Sequence, residues 1–245
     1  MPFVFDASTG LWRGFAGVSL ATSAGTHVLK LKGTTYAGEP VVSERDVTTV
    51  KGKYHNVTIR VPKQFTEPTP EQLQIISKDK ATKEKLFAEV TPDAQWLGSF
   101  RVPVVARVSD VFGTTRTFNG KVQSVHQGLD YAVSTGTPVG ALNTGTVLLA
   151  RPLYFEGNCV VINHGQGLLT LYLHLSELKV KEGETVKRGQ VLGLSGGTGR
   201  ATGPHLHVAV RWQGVYLDPA TLLSLRLPET PSANSKAPRR EEETQ

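Results

Sequence analysis

Cysteine is nearly absent from this chain. Cys159 is the single cysteine among 245 residues, so no disulfide can close within the chain and any zinc site must rest on histidine and carboxylate. It lies in the apolar run 157–162, which reads as a buried strand where a thiol packs rather than reacts. Long hydrophobic runs are lacking too. No stretch approaches the roughly 20 apolar residues of a membrane span, so no membrane span is expected. The first twenty residues are interrupted by Asp6 and Arg13, and no secretory signal is visible. That leaves a cytosolic chain, or one whose leader has been removed so that Met1 opens a trimmed form. Aromatic residues make up 7% of the chain and are not interleaved with a Lys/Arg cluster, which argues against nucleic acid as a partner. The sequence has no His-Glu-x-x-His helix and no Gly-x-Ser-x-Gly elbow, so the common zinc-protease helix and the serine-hydrolase elbow are both missing.

Glycine and proline, by contrast, are plentiful. Twenty-five glycines and 14 prolines favour a turn-rich β protein over a helical bundle. The length suits one or two domains, each able to bury a core. The net charge of +6 is uneven: residues 96–228 carry 12 basic and 7 acidic groups, an excess of five. A basic surface attracts anionic polymers, including a bacterial envelope, although solvated surface charge accounts for the same excess.

Four segments follow from the pattern. Residues 1–62 read as short strands, with β-prone runs at 28–32 and 57–61, and suggest a small β-sandwich-like accessory domain. Residues 63–95 read as a helical linker. Thr69 is its expected N-cap, Pro70 its first position, and Leu73, Ile76, Leu86 and Phe87 fall on a loose helical spacing. Residues 96–227 return to strands, with candidates at 145–150, 158–162, 168–174, 191–194 and 206–210 and no predicted helix. Residues 228–245 are polar and expected to be disordered.

The chemistry concentrates in the third segment. His126 and Asp130 lie four apart where a loop enters a strand. His205 and His207 follow much later as His-Leu-His. In a strand, residues i and i+2 share a face, so His205 and His207 point together while Leu206 faces the core. His174 ends the run 168–173, and alternation places it on the face of Thr170 and Tyr172. Imidazole and carboxylate groups suit zinc, and zinc with an open position is a hydrolytic catalyst. A two-His-one-carboxylate iron site has the same ligand types. Spacing alone does not decide which of His205 and His207 would bind a metal. His164 lies in an Asn-His-Gly turn and is expected at the surface. His27 and His55 have no partner at ligand spacing.

Three motifs in order carry a family resemblance: His126-Gln-Gly-Leu-Asp130, Tyr172-Leu-His174-Leu175 and Gly203-Pro204-His205-Leu206-His207. Phe112-Gly113 and Asn163-His164-Gly165 support them. Residues 100–223 thereby resemble the LytM-type, or lysostaphin-like, zinc metallopeptidases of family M23. The resemblance implies an antiparallel β-sheet and barrel-sandwich peptidase domain over 96–227. It implies zinc held by His126, Asp130 and His207, with His174 and His205 as catalytic residues beside it, and Asn119 as a substrate-binding residue. It further implies a peptidoglycan endopeptidase of the periplasmic or extracellular envelope, cutting cross-links or stem peptides by a metal-activated water. The alternative within the same fold is a non-catalytic envelope scaffold that activates a cell-wall amidase. The glycine spacing over 180–193 is similar to biotinyl and lipoyl carriers, but those need no such histidine set. Substrate choice is expected to lie in the loops 154–157 and 195–201.

Overall fold

The computed structural model describes residues 4–6, 11–13, 16–34 and 38–227. The tail expected to be disordered, 228–245, lies outside the described residues. Two hairpins come first. β1 (Val4–Asp6) pairs with β2 (Leu11–Arg13), and β3 (Gly25–Thr34) pairs with β4 (Pro40–Thr49), as separate two-stranded sheets. Leu29 and Leu31 are half-buried while Val28, Val41 and Val42 stay exposed, so β3 and β4 shelter one face only.

β5 (Asn56–Ile59) is followed by α1 (Pro70–Phe87). The helix begins where its capping chemistry predicts. Gln72 N–H donates to the Thr69 hydroxyl at 3.3 Å, and Thr69 N–H donates to the Gln72 side chain at 2.9 Å, which satisfies two orphan donors reciprocally. None of its residues is fully buried, but Leu86 and Phe87 pack against the main sheet. No helix among the described residues is long and apolar enough to cross a membrane.

The remaining chain is strand-rich. It contains β6 (Val108–Asp110), β7 (Thr115–Phe118), β8 (Val122–Val125), β9 (Leu129–Tyr131), β10 (Pro138–Gly140), β11 (Gly145–Leu153), β12 (Gly157–Asn163), β13 (Leu168–Leu175), β14 (Glu177–Leu178), β15 (Thr185–Val186), β16 (Val191–Leu194), β17 (Leu206–Trp212) and β18 (Val215–Leu217). The expectation of no helix here is corrected by α2 (Pro219–Ser224). The Asp218 carboxylate caps it, accepting from Ala220 N–H at 2.9 Å. Six residues are too few for a helical period to show in the sequence.

The main sheet runs β15-β11-β12-β13-β17-β9-β6, with β18 also on β17. A second sheet is β10-β16-β14. A third joins β5 in parallel to β7, and β7 to β8, so residues 56–59 pair directly with the strand preceding His126. One face of the main sheet buries Val147, Val160, Ile162, Tyr172, Val208 and Val210 in the larger core. The other buries Leu149, Cys159, Val161, Leu169, Leu171 and Ala209 beneath the end of α1. Because both faces are covered, the central strands read as nearly continuous apolar runs. Burial also raises the pKa of the Cys159 thiol, in keeping with a packing role.

A buried polar chain crosses the larger core. His164 is fully buried rather than on the surface, which corrects its expected place. Its Nδ1–H donates to Thr144 O at 2.7 Å, so its Nε2, 2.8 Å from Thr170 Oγ1, can only accept. The Thr170 hydroxyl then spends its one proton on His164. The Tyr172 hydroxyl, 3.1 Å away, donates to Thr170 and accepts Leu142 N–H at 2.7 Å.

Two outcomes follow. Tyr172→Phe strands Leu142 N–H in the core and should cost about 1–3 kcal/mol, read as a lower urea midpoint at unchanged slope. A change below 0.5 kcal/mol on the same scale of error would contradict this chain of bonds. His164 supplies the second. Burial pushes its pKa down from 6.5 to about 4, so the folded protein keeps it neutral where the unfolded chain takes up a proton. Its stabilising effect is complete above the unfolded pKa and is lost as pH falls from about 6.5 toward 4, by roughly 2–3 kcal/mol. Urea unfolding at pH 7.5 and pH 5 should show a steeper loss for the parent than for His164→Gln.

Candidate metal centre and cleft

Strand register builds the centre. β9 and β17 are antiparallel, with Leu206 opposite Tyr131, His207 opposite Asp130 and Val208 opposite Leu129. Directly opposed residues share a face, so Asp130 and His207 project together while their apolar neighbours enter the core. β6 lies on the far side of β9 and sets Asp110 against Asp130. His126 follows β8, where its N–H donates to Thr114 O and its own carbonyl accepts Gly113 N–H, both at 2.8 Å.

The three donor atoms meet closely. His126 Nε2 lies 3.0 Å from Asp130 Oδ1 and 3.0 Å from His207 Nδ1, and His207 Nδ1 lies 2.8 Å from Asp130 Oδ1. His126 Nδ1–H donates to Val111 O at 2.8 Å, which orients the ring and leaves Nε2 as the lone-pair nitrogen facing the other two. All three residues are buried or nearly so, and together they form a group able to hold a metal ion. Two imidazole nitrogens and one carboxylate oxygen fit zinc with an open position. Burial pushes the Asp130 carboxyl up, but the imidazoles of His126 and His207 that face it outweigh this and hold the group well below the usual carboxylate range. Burial also lowers the His207 pKa, against the opposing pull of Asp130. Both residues therefore keep the deprotonated form a metal requires.

Arg116, on β7, completes the support. Its guanidinium donates to Asp110 Oδ2 and to Asp130 Oδ2, the latter at 2.5 Å, leaving Asp130 Oδ1 for the imidazoles. Thr114 donates to Asp110 Oδ1 at 2.8 Å. Sequence reading missed both Arg116 and Asp110. Only the pairing of β6 with β9 sets Asp110 against Asp130, and only the packing of β7 beside them brings the Arg116 guanidinium to both carboxylates.

His174 and His205 sit beside the three donors. The ring centroids of His174 and His205 are 4.8 Å apart, and those of His174 and His207 are 6.1 Å apart. His205 and His207 share a side, as the i, i+2 spacing predicts. The reason for His174's position differs from the one alternation suggests. Its φ is +64°, and the β12–β13 register slips by one residue between Asn158↔Leu175 and Val160↔Tyr172. This bulge turns His174 away from Tyr172, which points into the core, and toward the cleft with Leu171 and Leu173. Its Nδ1–H donates to Thr198 O at 2.8 Å, and its backbone N–H donates to Glu156 O at 2.9 Å. Burial, with the charges of His205 and His207, pushes the His174 pKa down to about 3.

The cleft runs from His126 and His207 past His174 to Phe155, Glu156 and Arg200. Its walls include the loops 154–157 and 195–201 named from the sequence. Asn119 lies elsewhere. Its side-chain amide accepts Val61 N–H at 3.0 Å and donates to Val61 O and Thr66 Oγ1, tying the segment before α1 to the end of β7.

Comparison with known proteins agrees with this geometry. Residues 124–219 match the model of peptidase family M23. The peptidoglycan DD-endopeptidase ShyA of Vibrio cholerae is 35% identical over 175 residues, covering 71% of this chain and 38% of that protein. The DD-carboxypeptidase/endopeptidase Mpg of Neisseria meningitidis is 38% identical over 142 residues, covering 57% of this chain and 33% of its own length. The chain thus spans less than two fifths of these curated relatives. A Pseudomonas aeruginosa protein, whose crystal structure is described as a peptidase M23, superposes with a TM-score of 0.69 at 29% identity, covering 91% of this chain and 83% of that one. Matched motifs, matched fold and a converged His-Asp-His donor set together show that this chain carries a peptidase family M23 domain over residues 124–219.

Proposed function

We propose that the chain is a zinc-dependent endopeptidase of the bacterial cell envelope, hydrolysing peptide cross-links or stem peptides of peptidoglycan. The observation that carries this reading is the convergence of His126 Nε2, Asp130 Oδ1 and His207 Nδ1, with His174 and His205 beside them. The naming of the Vibrio and Neisseria relatives as peptidoglycan endopeptidases supports the substrate.

In this reading His126, Asp130 and His207 hold the metal. Zinc bound there supplies Lewis acidity and brings the pKa of a water to about 7. The remaining chemistry belongs to side chains of the cleft. His174 donates Nδ1–H to Thr198 O, which fixes its ring and leaves Nε2 free to accept a proton. Burial keeps it neutral near pH 7, the form a proton acceptor needs. His205 is oriented in the same way, its Nδ1–H donating to Gly203 O at 2.9 Å. The pair divides two tasks, taking up a proton and stabilising charge that develops on the substrate carbonyl oxygen. Leu171, Leu173 and Ala209 line the floor and limit competing water.

Separate tests follow for the two groups. His126→Ala and Asp130→Ala should abolish both zinc content, read by elemental mass spectrometry, and release of muropeptides from purified sacculi. His174→Ala and His205→Ala should keep zinc and lose about 10²–10⁴ of the cleavage rate. If all four variants digest sacculi like the parent, the assignment fails. Gly128 offers a further check, because a Cβ there would stand 2.4 Å from Val208 O and 2.5 Å from the His207 ring. Gly128→Ala should push His207 out of register with Asp130 and weaken zinc binding by at least about tenfold in a chelator competition assay.

A further inference from the structure

One wall of the cleft presents a cation that the protein's own side chains leave unmatched. Arg200 lies in the loop between β16 and β17, its backbone N–H donating to Phe155 O at 2.8 Å. Its guanidinium carbon stands 4.3 Å from the centroid of the Phe118 ring and 4.7 Å from that of Phe155. Aromatic faces hold a guanidinium through its plane and leave the N–H groups on its edge unspent. Among the described residues, no carboxylate lies within ion-pairing distance of it and no acceptor takes a hydrogen bond from it.

The neighbouring charges do not pair with it. Arg116 is paired with Asp110 and Asp130, and Glu156 is paired through Oε1 with Lys83 of α1. Glu156 Oε2 is buried without a hydrogen-bond partner, and its charge acts on Arg200 without reaching ion-pairing distance. Arg200 is half-buried. A partly desolvated cation without a partner is costly, and a carboxylate arriving with a ligand offsets that cost through a bidentate pair. The position is close to the chemistry. Thr198, two residues before Arg200, accepts the His174 Nδ1–H through its carbonyl, and Arg200 and His174 line the same cleft.

We propose that Arg200 is a specificity-determining residue that pairs with a free carboxylate on a residue flanking the cleaved amide. This rests on the reading of the site as a peptidoglycan endopeptidase and narrows it. The preferred substrate is a cross-link built on a diamino dicarboxylic acid, whose second carboxylate remains free beside the bond. Links through lysine or glycine bridges lack that group.

Three defined muropeptides separate the cases. The first is a cross-linked dimer with free diaminopimelate carboxylates, and the second is the same dimer with those carboxylates amidated. The third is an uncross-linked pentapeptide with its side carboxylates amidated, so that its one free carboxylate is the chain end. The parent should cleave the first dimer with a kcat/KM at least about tenfold above the amidated one. Arg200→Gln should lower the first value to the level of the second, mainly through KM, and leave the amidated dimer unchanged. Arg200→Lys, which keeps the charge without the fork, should restore part of the preference. Zinc content and thermal midpoint should match the parent in both variants. Equal losses on both dimers, or a parent indifferent to amidation, would overturn the proposal. So would an Arg200→Gln loss confined to the pentapeptide, which would assign the carboxylate to a chain end. A zinc-loaded parent that cleaves none of the three would overturn the endopeptidase reading itself, and this inference with it.

Discussion

The antiparallel pairing of β9 with β17 is the constraint on which the site depends. It sets Asp130 against His207, and the apolar partners on either side, Tyr131 with Leu206 and Leu129 with Val208, hold that register by burial. A slip of one residue would turn both polar groups into the core and bring leucine and valine to the cleft, so the hydrophobic pattern and the donor set enforce one arrangement. Charge is managed in the same rows. Asp130 is almost fully buried, and an isolated carboxylate there would be strongly disfavoured. Arg116 takes one of its oxygens and the two imidazoles face the other.

A second constraint acts on the opposite wall. The bulge at His174 is packed between the loops 154–157 and 195–201, which lock onto each other. Asn158 N–H donates to Thr198 Oγ1 at 2.9 Å, and Gly157, with φ +62°, lets the Thr198 backbone approach where a Cβ would stand 2.4 Å from it. The same loop is gripped from outside. Asp79 of α1 accepts Tyr154 N–H at 2.7 Å, Lys83 pairs with Glu156, and Phe65 packs edge-on against Tyr154. The helix is therefore joined to the wall that orients His174, and Asn119 ties the segment preceding that helix to β7. Position in the sequence separates these parts, while hydrogen bonding joins them.

Much of this was legible in the chain itself. The capping box at Thr69 and Gln72 marks the start of α1 because its chemistry is local. The strands around 145–150, 158–162, 168–174 and 206–210 show as apolar runs because both faces of their sheet are covered. Cys159 reads as a packed thiol for the same reason. Other features were hidden by their range or brevity. α2 is only six residues long. His164 sits in a turn motif that implies exposure, yet Thr144, in the bend before β11, and Thr170, on β13, satisfy both its nitrogens in the core.

The sequence by itself determined the types of candidate donor group, their order, and the shared face of His205 and His207, because the two-residue period of a strand is a local property. Tertiary structure alone decided which atoms meet. His126, Asp130 and His207 converge through strand pairing across long stretches of chain, and Arg116 and Asp110 join them by the same route. His174 reaches the cleft only because a bulge with positive φ breaks the alternation that would otherwise aim it at the core. Arg200 stands outside ion-pairing distance of any described carboxylate because packing holds its guanidinium against the rings of Phe118 and Phe155. Pairing partners, register slips and competition for counter-charges are non-local, and no periodicity along the chain encodes them.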